Sequence, residues 1–135
     1  MPGMTIPFAC IGIAFFLIYV PKIPLSFAMA KQPGGYDNKD PRAQQAQLTG
    51  WGARARSAHM NGFESFPPFA AAVFVATLSH ASDKWTTTFC IAYVVARTIY
   101  PFIYMANLGV LRSLVWGVGF GATAALFALP LLAPS

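Results

Sequence analysis

The stretch from Arg54 to Val75, RARSAHMNGFESFPPFAAAVFV, changes character halfway along. Its first half carries Arg54, Arg56, His59, Asn61 and Glu64; from Phe66 onward it is apolar. In a helix, at about 100° per residue, Arg54 and Asn61 fall about 20° apart and Glu64 within about 80° of Arg54. These three make one polar stripe. His59 lies about 140° from Arg54 and is outside it. Arginines at the margin of a membrane helix also snorkel into headgroups, so Arg54 and Arg56 carry two readings. Glu64 is too short to reach far and sits in apolar surroundings, so it faces protein or a polar cavity.

Composition sets the class. Of 135 residues, 56% are hydrophobic and 10% charged, with a mean hydropathy of +0.55, values foreign to a soluble domain of this size. Five of the nine Lys and Arg fall between Lys31 and Arg56, and elsewhere charge is absent for about twenty residues at a time. That pattern predicts one polytopic membrane domain over residues 1–135. The net charge of +5 comes with no basic helix or aromatic-basic interleaving, which argues against nucleic acid. The first segment lacks a charged leader region and a clear cleavage site, so it reads as a span. Cys10 and Cys90 sit in apolar runs without metal-ligand spacing or a basic neighbour, and read as core residues.

Four spans follow in order. The first runs from Met4 to about Met29, with a kink expected at Pro21, Lys22 and Pro24. A loop from Lys31 to Gly50 is rich in turn residues, with helix possible over Arg42 to Leu48 and Trp51 as an interfacial anchor. The second span reaches about His80, with a bend expected at Pro67-Pro68. The third spans Trp85 to Met105 and buries Arg97, twelve residues in, about 18 Å along the axis. Tyr93, Arg97, Tyr100 and Tyr104 share one face, and Pro101 leaves the Arg97 carbonyl without its helical donor. After a turn at Asn107 and Gly109, the fourth span runs from about Leu111 to Leu132 and opens with Arg112, Ser113 and Trp116. Its Gly117-x-x-x-Gly121 reads as a helix-packing motif. Loop charge places Lys31 to Arg56 in the cytoplasm and both termini on the other side, in the inner membrane if the source is bacterial.

Arg54, Asn61, Glu64, Arg97, Tyr100, Tyr104, Arg112 and Ser113 thereby gather in the cytoplasmic half. The set offers cations for carboxylates, a carboxylate for an amine, and hydroxyls and an amide for peptide groups. Glu64 and Arg97 are expected to compensate each other directly or through a ligand. A zwitterionic tripeptide fits this chemistry, and so do other anions.

The motifs narrow it. R-x-x-x-A-H-x-N-x-x-E-x-x-P-x-F, carrying Arg54, Ala58, His59, Asn61 and Glu64, resembles the second-helix signature of the MAPEG family, the membrane-associated proteins of eicosanoid and glutathione metabolism. Arg97-x-x-Tyr100-x-x-x-Tyr104 and Arg112-Ser113-x-x-Trp116 look like that family's later signatures, in the right order and over nearly the whole chain, as in a bacterial-type member. The chain departs where many members carry a second arginine before the Ala-His pair: Ser57 stands there, with Arg56 one place early. Trp116 stands where tyrosine is common.

The resemblance implies an all-α integral membrane four-helix bundle assembled as a homotrimer. It implies glutathione sites between protomers and transferase, peroxidase or isomerase activity, with lipophilic small molecules and membrane lipid as the other partners. It assigns glutathione binding to Arg54, Asn61, Glu64, Arg97, Tyr100, Tyr104 and Trp116, and thiolate activation to Arg112 and Ser113, with no metal. The other reading is a non-catalytic scaffold or lipid-binding trimer that keeps the fold, since fold does not fix function.

Overall fold

The computed structural model describes residues 5–132, and everything it describes is helix, turn or loop. Six helices occur in these residues: α1 (Thr5–Tyr19), α2 (Lys22–Ala30), α3 (Pro41–Ala46), α4 (Gly50–Leu78), α5 (Asp83–Met105) and α6 (Gly109–Leu132). The expected start of the first span at Met4, and both chain ends, lie outside the described residues.

The first expected kink is a full interruption. Pro21 has no N–H to continue the ladder, so α1 ends at Tyr19 and α2 restarts at Lys22. The Ile23 N–H bond to the Val20 carbonyl, at 3.2 Å, spans the break. The bend expected at Pro67-Pro68 is not a break, because α4 stays helical through both. Each proline still removes a donor, which leaves the Phe63 and Glu64 carbonyls without their usual partners. Ser82 caps α5, its hydroxyl accepting from Trp85 N–H at 3.4 Å. The turns after α4 and α5 pass through left-handed His80 (φ 53°) and Asn107 (φ 62°), the position that ends a helix sharply.

Three helical stretches are long and apolar enough to cross a membrane: Ile6–Ala30, taken across the α1–α2 break, Asp83–Met105 and Gly109–Leu132. Four spans were expected. α4 has the length, at 29 residues, but the charges of Arg54, Arg56 and Glu64 in its first half set it apart by composition. Outward positions are apolar: Phe16 is 71% exposed and Phe102 64%, a pattern that lipid satisfies and water does not.

Inside, α5 packs along α6 and α4, α1 lies against α4 and α5, and α2 rests on the start of α4. Small residues let the helices approach. Cys10, Ala14, Ala72, Ala76, Cys90 and Ala122 surround the stacked rings of Phe69 and Tyr93, 3.7 Å apart. The closest approaches fall at Gly52 and Gly62, not at the expected pair on α6. A Cβ at Gly52 would lie 2.8 Å from Ala28 Cβ, and one at Gly62 3.2 Å from the Ile18 backbone. At Gly117 and Gly121 a Cβ would meet nothing within 4 Å among the described residues, so the expected packing motif makes no close approach there.

The loop before α4 is stitched by one side chain. Gln44 donates to the Gly35 carbonyl at 2.9 Å and to the Met29 carbonyl at 3.3 Å, and accepts from Asp37 N–H at 2.9 Å. Asp40 caps α3 through Ala43 N–H. This fixes where α4 begins, and with it the register of the polar stripe.

Candidate functional site

Five of the nine expected residues line one pocket of about 270 Å³: Asn61 and Glu64 on α4, Tyr100 and Tyr104 on α5, and Arg112 on α6. Ser57 and Met60 complete it. With Asn61 and Glu64 they follow i, i+3, i+4, i+7 spacing, one helix face, so that spacing was the available signal for them. The position expected to be short of an arginine is therefore in the pocket wall itself.

A second depression, about 360 Å³, adjoins the first and shares Asn61 and Glu64 with it. Its other walls are Ser65 and Pro68 on α4 and Trp116, Phe120, Thr123, Ala124 and Phe127 on α6. Trp116 stacks on Phe120 at 5.1 Å. So Trp116 belongs to an apolar groove, not to the polar pocket where it was expected. The α6 members repeat at helical spacing, but an apolar stripe on a membrane helix carries no distinguishing mark in sequence.

Three expected residues lie outside both depressions. Arg97 is 7% exposed; its Nη1 donates to Asn61 Oδ1 at 2.8 Å, and its guanidinium lies 4.2 Å over the Tyr100 ring. Its protein partner is thus Asn61, while Glu64, the expected counter-charge, is exposed at the pocket mouth. Arg54 donates from Nε to the Met105 carbonyl at 3.0 Å, satisfying one of the orphan acceptors at the end of α5. Ser113 is exposed and does not line the pocket.

His59, predicted to point off the stripe, does so. Its Nδ1 donates to the Ile18 carbonyl at 2.7 Å, one of the α1 carbonyls left without a helical donor at the chain break. Tyr19 and Phe63 close over the imidazole at 5.6 and 5.0 Å. This is a structural histidine that pins α1 to α4. His59→Ala is expected to lower stability by about 2 kcal/mol, since it orphans a buried carbonyl and opens a void. Thermal unfolding in detergent measures this, and an unchanged midpoint would show that another donor replaces the ring.

A wider hollow of about 730 Å³ lies in the loop around Gly34, Asp37 and Gln44. Gln44 and the Asp37 carboxylate are spent on the loop's own backbone there, so the pocket between α4, α5 and α6 is the better chemical site. Among the described residues, no group of three His, Cys, Asp or Glu side chains could hold a metal ion.

No curated protein and no solved structure matches the chain. The family model described as MAPEG family matches residues 6–132, a range that takes in every pocket-lining side chain named above. On that match, which covers nearly the whole chain, the chain belongs to the MAPEG family.

Proposed function

We propose that this protein is an integral membrane glutathione-dependent transferase or peroxidase acting on lipophilic electrophiles or hydroperoxides. The observation that carries this reading is the junction: a polar pocket and an apolar groove that meet at Asn61 and Glu64. In the pocket, Arg112 serves a thiolate or carboxylate, Glu64 an amine, and Asn61 and the tyrosine hydroxyls the peptide groups. In the groove, Trp116, Phe120 and Phe127 offer apolar surface to the second substrate. A nucleophilic sulfur held at the junction would face that substrate directly. In conjugation the thiolate forms the carbon–sulfur bond and the halide or other leaving group departs with the displaced electron pair.

Both depressions open on the outside of a single chain, so a neighbouring protomer can complete them; we place glutathione between protomers of a homotrimer. α4 then also crosses the membrane, as the second of four spans, its polar end in the cytoplasmic leaflet with the Lys31–Arg56 segment, and both termini on the opposite side. A non-catalytic trimer of the same fold is favoured by one detail: Ser57 in the pocket wall leaves Arg112 as the pocket's one cation.

Purified protein incubated with glutathione and an aryl halide, and separately with a lipophilic hydroperoxide, separates the two. Glutathione-dependent product formation is the expected result. Glutathione binding without turnover of either substrate would favour the scaffold, and absence of binding would overturn the proposal.

A further inference from the structure

A row of two rings between two cations runs from the buried Arg97 along the pocket wall to Arg112. Asn61 on α4 holds Arg97 at 2.8 Å; Arg97 lies 4.2 Å over Tyr100. Tyr100 meets Tyr104 edge to face, at 5.7 Å and 82°. The Arg112 guanidinium, on α6, lies 4.7 Å over the Tyr104 ring. The far end is braced as well, because Arg54 ties the last turn of α5 to α4 through the Met105 carbonyl, one residue beyond Tyr104.

We infer that Tyr104 is a positioning residue for Arg112, acting through its ring face and not through its hydroxyl. Arg112 is half-buried, in the first turn of α6, on a long side chain with many rotamers. Fixing such a side chain costs entropy. A guanidinium held over an aromatic face offsets that cost by cation–π attraction, and the ring face takes none of its N–H hydrogen bonds. The free edge then remains available to a ligand in the pocket. The rings of Tyr100 and Tyr104 thus couple the site of the fixed charge on α6 to the buried Arg97–Asn61 bond on α4. The geometry stands by itself; its consequence for a bound thiol rests on the function proposed above.

The test uses the full chain in detergent and two readouts. The first is the rate at which an arginine-selective dicarbonyl labels Arg112, followed by peptide mass spectrometry without any ligand. Tyr104→Leu and Tyr104→Met are expected to speed labelling about threefold, the loss of one partly exposed cation–π contact, and Tyr104→Phe to restore protection. The Met variant keeps side-chain length should the Leu variant fail to fold. The second readout is the ultraviolet thiolate titration of bound glutathione, expected to move up by about half a unit in the Leu and Met variants and to return with Phe. Unchanged labelling in both Leu and Met variants would overturn the inference, and so would a Phe variant that behaves like them. Labelling that follows the ring while the wild type forms no thiolate would remove the proposed function and leave the positioning role standing.

Discussion

If glutathione binds as proposed, Arg112→Ala is expected to abolish most of the thiolate it forms near neutral pH, with the deficit greatest between about pH 6.5 and 8.5 and vanishing in stronger acid and alkali. A free thiol of pKa near 8.5 is about 3% ionised at pH 7. A guanidinium held in a water-poor pocket that lowers this by two units contributes about 2.7 kcal/mol and makes the thiol about three-quarters ionised. Removing it cuts the thiolate population at pH 7 about 25-fold. Near pH 10 the variant's thiol ionises unaided, and the two proteins converge. Turnover should fall less than the thiolate does, because a less acidic thiol gives a more nucleophilic thiolate. Thiolate absorbance against pH is therefore the measurement that decides. A variant with the wild-type titration curve would move the role to another residue. Ser113 is exposed and does not line the pocket. Ser113→Ala is accordingly the smaller effect.

How far the sequence reaches differs from one feature to the next. The placement of Arg97, Tyr100 and Tyr104 on one face followed from periodicity, because a 3.6-residue repeat fixes faces whatever the neighbours are. Arg112 and Asn61 could be named as site residues, but their mutual closeness depends on how α4, α5 and α6 cross, which no single-helix pattern encodes. The partner of Arg97 is the instructive case. Charge alone pointed to Glu64, yet the angular position of Asn61 on α4 puts its amide against the guanidinium and leaves Glu64 at the mouth. Arg54 fell on the polar stripe and was read as a ligand contact; its nearest demand is the unsatisfied end of α5, an acceptor that exists only once α5 stops at Met105. Gly117 and Gly121 matched a packing motif by spacing, but the tight contacts sit at Gly52 and Gly62. Close approach is decided by which face meets a partner, and a glycine pair on the outer face has none among the described residues.

The Asn61–Arg97 bond yields the second large expectation, and it is an asymmetric one. Asn61→Leu leaves a buried guanidinium without its acceptor in an apolar bundle, and should cost about 3 kcal/mol, the upper range for hydrogen bonds to charged groups. Arg97→Met removes the charge together with its need for a partner; the amide left behind is neutral and half-exposed, so the loss should be nearer 1 kcal/mol. The double variant should be more stable than Asn61→Leu alone, because methionine no longer demands what leucine cannot supply. That sign is the discriminating feature. Two residues that merely pack would show losses adding to within about 0.5 kcal/mol, whereas a buried polar pair gives a rescue of 1 kcal/mol or more by the second substitution. Unfolding of all four proteins in mixed detergent supplies the cycle. Additive losses would mean that Arg97 is satisfied from another direction, and the small void of about 10 Å³ between Ile18, Gly62, Tyr93 and Arg97 is where such a partner would have to sit. A void of that size is just enough for one water. In the pair reading, by contrast, the guanidinium has one fixed acceptor on α4 and one ring beneath it on α5. Its orientation, and that of the Tyr100 ring lining the pocket, is then set by α4, the same helix that presents Glu64.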